Sequence, residues 1–197
     1  MNSQLSKHSL APIENRVDAI EKVLKRNSLD TESFLDTFHD LAFEHWVPNN
    51  GARLVARAWV DPVFKEFLIK DGVGAAKSMG FTFPPHHQYF VVLENSDKVH
   101  NVICCTLCSC TAFSIIGLPP DWYKNLEYRA RVVREARSVL SEMGLVLPQD
   151  VEIKVWDTTT DTRYMVLPQR PPHTAGWSQQ QLAELVTKES MIGVALV

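Results

Sequence analysis

Two regimes of hydrophobic spacing divide the chain. Up to about residue 80 the apolar positions recur at helical intervals. Ile13, Val17, Ile20, Val23 and Leu24 mark one stripe, with Pro12 placed to open it. Asp30 or Thr31 caps a second helix carrying Phe34, Leu35, Phe38, Leu41 and Ala42. Pro48, Asn49, Asn50 and Gly51 predict a break. Short helices are expected over 51–59 and 61–70, and Gly72 and Gly74 loosen the chain again. The run Gly80-Phe81-Thr82-Phe83-Pro84-Pro85 is the expected boundary.

Beyond it the pattern changes. Tyr89–Leu93, Val102–Cys104, Val151–Trp156 and Tyr164–Leu167 read as strands. Pro119 and Pro120 open a long helix that uses Tyr123, Leu126, Ala130, Val133 and Leu140 on one face and stops at Gly144. Ser178 and Gln181 form a capping box before Leu182, Leu185 and Val186. The order is mixed rather than a strict βαβ alternation, so the expected class is α+β. A helical N-terminal arm (1–80) precedes a layered α/β domain (81–197). The arm is either a helical layer on that domain or a wrap around a partner subunit.

Composition narrows the function. The chain has 197 residues, 45% hydrophobic, enough for one core plus an arm. A net charge of −3 gives no footprint for nucleic acid. No apolar run approaches the roughly 20 residues of a membrane span. The first residues, MNSQLSKHSLAPIENR, lack the apolar core of a secretory leader. A cytoplasmic protein is expected. All four cysteines fall between Cys104 and Cys110, whereas a disulfide scaffold spreads them along the chain.

That cluster carries the chemistry. Cys108-Ser109-Cys110 places two thiolates around the amide nitrogens of Ser109 and Cys110, closing chelate rings of about five or six atoms. Cys105 can supply a third sulfur above this N2S2 plane, leaving a sixth position open. Tetrahedral zinc does not favour such a set; a transition metal with d-electron preferences does. Deprotonated amides call for a strongly acidic ion, hence trivalent iron or cobalt. Cys-x-x-Cys also occurs in zinc knuckles and thiol redox sites, which remain open readings at this point. Cys104 reads as a small core residue.

Cys105-Thr106-Leu107-Cys108-Ser109-Cys110 resembles the metal-binding motif of the nitrile hydratase α subunit. Gly117–Lys124, Tyr128–Glu135, Asp157–Thr159, Thr162–Pro171 and Gly176–Ser178 are also similar to that family. The resemblance implies hydration of nitriles to amides at a non-haem iron(III) or non-corrinoid cobalt(III). It makes Cys105 an unmodified axial thiolate, Cys108 a sulfinic acid and Cys110 a sulfenic acid. Ser109 and Cys110 become the backbone-amide ligands. It also implies a β subunit whose arginines bind the oxidised cysteines, in a heterodimer or a paired heterotetramer, so the chain alone should be inactive. A metal-loading activator is a further candidate partner.

Thr106 is usual in cobalt members. Thr111 and the run Tyr164–Arg170 are closer to iron members, and iron is favoured. His86, followed by His87, stands where the family commonly has Gln, as a hydrogen-bonding neighbour, proton relay or transient metal-loading site. Asp157 and Asp161 are candidates for the interface or for steering substrate, with Arg163 expected to pair with one of them. In this reading the Cys110 sulfenate attacks the nitrile carbon or activates a water that does, and Ser109 hydrogen-bonds the water or substrate. The alternatives are a thiocyanate hydrolase-like subunit and a non-catalytic metal or thiol redox module.

Overall fold

The computed structural model describes residues 11–197; the leader reading of residues 1–10 lies outside them. The chain divides into two compact units, one ending at Leu41 and the other running from Ala42 to Val197.

The first unit holds α1 (Ile13–Arg26) and α2 (Thr31–Asp40). Pro12 precedes α1, and Glu14 in its first turn and Lys25 and Arg26 in its last complement the helix dipole. Asp30 caps α2 by accepting the Glu32 amide at 3.2 Å. Both helices have an apolar stripe, yet neither buries a residue. Leu41 and Ala42, expected within α2, fall in a π-turn over Leu41–His45.

The second unit shows where proline and glycine mislead. Pro48–Gly51 does not break the chain but begins α3 (Pro48–Val60), with proline in the first turn, where its missing N–H costs nothing. Gly51 lies inside that helix because a Cβ there would press on the Met191 sulfur and the Ile115 carbonyl. Gly72 and Gly74 likewise belong to a helix, α5 (Gly72–Ser78), which Asp71 caps through the Gly74 amide at 2.8 Å. Between them lies α4 (Pro62–Lys70), capped by Asp61. These three helices pack on the α/β part, and the compact division falls at Leu41.

The strands β1 (Tyr89–Glu94), β2 (Val99–Cys104), β3 (Glu152–Asp157) and β4 (Thr162–Leu167) form two parallel ladders. β1 pairs with β4 and β2 with β3. Each short connection, β1 to β2 and β3 to β4, therefore crosses from one ladder to the other. The register sets Cys104 at the end of β2 opposite Asp157 at the end of β3. The chain that leaves β2 is the cysteine cluster.

After α6 (Phe113–Ile116), the long helix expected from Pro119 is interrupted. A single turn, α7 (Asp121–Lys124), gives way to α8 (Leu126–Glu142), which Asn125 caps and which kinks at Glu135. The restart rotates the buried face. Tyr128, Val132, Val139 and Leu140 face the core, while Leu126 (74% exposed) and Val133 (46%) do not. The C-terminal α9 (Gln179–Leu185) begins with the expected capping box, and α10 (Lys188–Ile192) ends at Gly193. Gly193 has φ 92°, and a Cβ there would collide with the Asn101 carbonyl. Gly193→Ala is expected to destabilise the fold by about 3 kcal/mol or more, measured by urea unfolding.

β2 starts earlier than expected because its first residues are polar yet buried. His100 and Asn101 are 3% and 4% exposed. The Asn95 side-chain oxygen accepts the Asn101 amide at 2.8 Å, so its Nδ2 faces His100 Nδ1 at 3.1 Å as donor. His100 Nε2 then donates to the Gly193 carbonyl at 2.7 Å. The network needs neutral His100. Burial holds its pKa below the ordinary value, with the Gly193 bond acting in the opposite sense. A lowered histidine stabilises the fold above its unfolded pKa near 6.5, and that contribution is lost as pH falls below it. Stability should therefore fall on acidification from pH 6.5 by up to about 1.4 kcal/mol per unit from this group. Urea unfolding from pH 7.5 to 5 measures the slope, which His100→Gln should flatten. Among the described residues no helix is long and apolar enough to cross a membrane.

Candidate metal centre

The loop leaving β2 folds its three later cysteines onto one another. Their sulfurs all lie within 4.8 Å, the one cluster of metal-ligating side chains found among the described residues. Cys105 Sγ is 3.3 Å from Cys108 Sγ, and Cys108 Sγ is 2.8 Å from Cys110 Sγ. Two metal–sulfur bonds of about 2.3 Å at a right angle span about 3.3 Å, which fits the first spacing; the second must open slightly around an ion. Cys105 is buried, Cys108 exposed and Cys110 half-buried, so the set is anchored at one end and accessible at the other. Cys104 is fully buried outside this set, as expected of a core residue.

Backbone groups turn inward as well. The Cys108 amide donates to Cys105 Sγ at 3.3 Å. Burial pushes the Cys105 thiol up, but the Thr158 hydroxyl and the amides of Cys108 and Cys110 outweigh it and bring the thiol down to about 7. Burial, reinforced by the Cys108 thiol, pushes Cys110 up to about 12, and burial beside Asp157 does the same to Cys104. An incoming cation thus meets one readily ionised sulfur with amide nitrogens directed at it. Three soft sulfurs and inward-facing amides suit a transition metal, so the residues fit the implied metal.

The surrounding side chains hold the loop at fixed points. Asp157 accepts the Thr106 amide at 2.9 Å and the Thr106 hydroxyl. Arg129, from α8, donates Nε–H to the Cys105 carbonyl at 2.8 Å and an NH2 hydrogen to the Thr106 carbonyl at 2.7 Å. The Cys110 carbonyl accepts from Tyr123 Oη at 3.1 Å, and the Thr158 hydroxyl, 3.3 Å from the same carbonyl, can turn its one proton to it or to Cys105. Tyr128 Oη donates to the Ile103 carbonyl just before the loop. The sequence predicts none of these loop contacts for Arg129, Tyr123 or Thr158. All three lie in family-like segments, but nothing in their spacing points at carbonyls of a distant loop.

The remaining expected residues are more scattered. Ser109 lies half-exposed between its two cysteines. Asp161 accepts from the Thr159 and Thr162 hydroxyls, which hold its carboxyl below the usual range. Arg163 pairs with neither aspartate. It is 3% exposed and donates to the Thr159 and Thr162 carbonyls and, through Nε, to His87 Nε2 at 3.1 Å. A buried guanidinium gains more from several aligned carbonyls than from one solvated carboxylate. His87, not His86, is the buried member of the histidine pair. Burial first, then Arg163 and His86, lower its pKa to about 3, so it stays neutral and accepts. His86 is exposed, with its ring 4.5 Å from that of His87 and 6.2 Å from that of Phe113.

Comparison with known proteins agrees with this geometry. The family described as "Nitrile hydratase, alpha chain" matches residues 11–195. A solved Fe-type nitrile hydratase of Comamonas testosteroni Ni1, a double mutant with two adjacent histidines replaced by alanine, superposes with a TM-score of 0.87. It is 56% identical and covers 95% of this chain and 91% of its own. The cobalt-containing nitrile hydratase α subunit of Pseudonocardia thermophila is 46% identical over 92% of this chain and 89% of its own. The thiocyanate hydrolase γ subunit of Thiobacillus thioparus is 41% identical over 100% of this chain and 82% of its own.

Proposed function

The chain belongs to the nitrile hydratase α-chain family, and on that premise we propose that it is the metal-bearing subunit of an enzyme that hydrates nitriles to amides together with a β subunit. The observation that carries this reading is the convergence of the Cys105, Cys108 and Cys110 sulfurs within 4.8 Å, in the motif that marks the family. Iron(III) is the favoured ion and cobalt(III) the alternative, since relatives of both kinds are similar. Cys105, Cys108 and Cys110 would hold it through sulfur, and Ser109 and Cys110 through backbone nitrogen. The ion supplies Lewis acidity that polarises the nitrile.

The protein's own groups do the rest. Cys108 is assigned as a sulfinic acid and Cys110 as a sulfenic acid, successive two-electron steps of one ladder that an accessible metal-bound sulfur would climb with an external oxidant such as dioxygen. Cys105, which is buried where Cys108 is exposed, is assigned as the unmodified thiolate. The Cys110 sulfenate oxygen either takes a proton from the water that adds to the nitrile carbon and returns it to nitrogen, or adds to that carbon itself, after which water adds to the same carbon and the C–O bond to the sulfenate breaks to regenerate it; Ser109 orients that water or substrate. Arginines of the β subunit stabilise the acidic oxygens. His86 acts beside the site as a hydrogen-bonding or proton-relay group, with Asp157 and Arg163 fixing the surrounding loops and Asp161 near the subunit interface. The N-terminal helices form the arm that wraps the β subunit, in an αβ or α2β2 assembly. A cytoplasmic location and a separate metal-loading activator belong to the same reading.

Thiocyanate hydrolase is the weaker alternative, because both the identity and the motif flanks favour nitrile hydratase. The test is hydration of simple nitriles by the chain purified with its β subunit and alone. The reading requires activity in the complex and none in the isolated chain. Thiocyanate turnover without nitrile hydration would replace it with the alternative.

A further inference from the structure

Thr106 is held on every polar group it owns. Its amide and hydroxyl both go to Asp157, and its carbonyl goes to Arg129, which also takes the carbonyl of Cys105. The peptide between Cys105 and Thr106 therefore lies between a cation at its oxygen and an anion at its nitrogen. It links Arg129 on α8 to Asp157 at the end of β3 as an ion pair bridged by one peptide plane. Hydrogen bonds to ionised groups are the stronger kind, and the two polarise one peptide in the same direction. The braced residue lies next to Cys105, whose sulfur is the most buried of the cluster.

We propose that Arg129 is a positioning residue that, across the Cys105–Thr106 peptide from Asp157, fixes the Cys105 limb of the cluster and so governs how tightly the metal is retained. The inference rests on the metal-centre reading above. Both hydrogen bonds of Arg129 to the loop are to backbone oxygens. Its guanidinium spans two successive carbonyls as a planar fork; an ammonium at the same place is a single point charge that can satisfy one fully. Because the carbonyls belong to the backbone, no substitution at positions 105–107 removes the acceptors, and on the carbonyl side of the peptide the contact is deleted through Arg129.

The test uses the metal-loaded complex with the β subunit. Arg129→Met, Arg129→Lys and, as a control on the same helix, Arg134→Met are compared with the unmutated protein. Metal remaining per chain is followed over time against a chelator, together with the position of the thiolate-to-metal absorption band. Arg129→Met is expected to lose metal about 10–100-fold faster, the cost typical of groups that orient metal ligands, and to shift the band. Arg129→Lys should fall between, and Arg134→Met should match the unmutated protein. Retention and band unchanged in Arg129→Met overturn the proposal. If that variant does not assemble, Arg129→Lys decides: intermediate retention supports the proposal, and unmutated behaviour overturns it. An unmutated complex without iron or cobalt would instead overturn the metal-centre reading itself.

Discussion

Replacing Cys105 by serine is expected to leave the chain folded, nearly free of metal, and more than about 100-fold slower in nitrile hydration, beyond the 10–100-fold typical of groups around a metal's ligands. Cys105 is 1% exposed, so the substitution changes little in volume or contact. What it removes is the one sulfur that the amides and Thr158 favour as an anion. A serine hydroxyl is harder and far less acidic, and it offers the wrong donor to an ion chosen by soft ligands. Cys104→Ser is the matched control. Its sulfur is fully buried and outside the cluster, so metal and activity should persist with a stability cost of about 1–3 kcal/mol for burying a hydroxyl. Metal content per chain and initial rates in the complex measure both. A Cys105→Ser protein with full metal and rate would contradict the assignment of Cys105.

The second large effect concerns the N-terminal helices. Phe34 and Phe38 lie one turn apart on α2 with ring centroids 6.4 Å apart, and they are 68% and 44% exposed. Ile13, Val17, Ile20 and Val23 give α1 a similar exposed stripe. Helices with an apolar face and no buried residue draw little stability from the face they carry, which is the pattern of a surface completed by another chain. Burying a large apolar side chain is worth about 1.5–3 kcal/mol, so Phe34→Asp with Phe38→Asp should weaken association with the β subunit by roughly 100-fold or more. Titration of the β subunit against the variant, with far-ultraviolet circular dichroism to show that α2 still forms, measures this. Unchanged affinity would remove these two side chains from the arm's proposed interface.

Local signals were the most legible. The cap at Asp30 (one of the two candidates, with Thr31), the Ser178–Gln181 capping box and the alternation of β3 agree with the sequence, because each depends on residues within one or two turns. Pro48 and Gly51 misled for one reason. Both have a helical use, proline in the first turn and glycine where another element comes close, and only tertiary packing selects it. The buried face of α8 differs from the one its spacing predicts because Asn125 restarts the helix and Glu135 kinks it. β2 was read too short because a strand of buried polar residues looks like a loop until Asn95, Trp156 and Gly193 are seen to complete its hydrogen bonds.

The site divides in the same way. The cysteine spacing predicts that Cys105, Cys108 and Cys110 come together, since a six-residue loop is local, and their sulfurs do converge. The residues that hold the loop come from α7, α8 and the end of β3, and most of their contacts are to backbone carbonyls. A carbonyl leaves no mark on the identity of its own residue, so these partners stay hidden until the chain is folded. The pairing expected of Arg163 failed for a related reason: a nearby carboxylate is visible in sequence, while a row of carbonyls and a neutral histidine is not.

The most direct measurement is metal analysis with intact and peptide mass spectrometry on the chain purified together with its β subunit. The account predicts one iron per chain, two added oxygens on Cys108, one on Cys110 and none on Cys105; cobalt with the same oxidation pattern would change the ion and keep the chemistry. Zinc bound to unmodified thiols would contradict it.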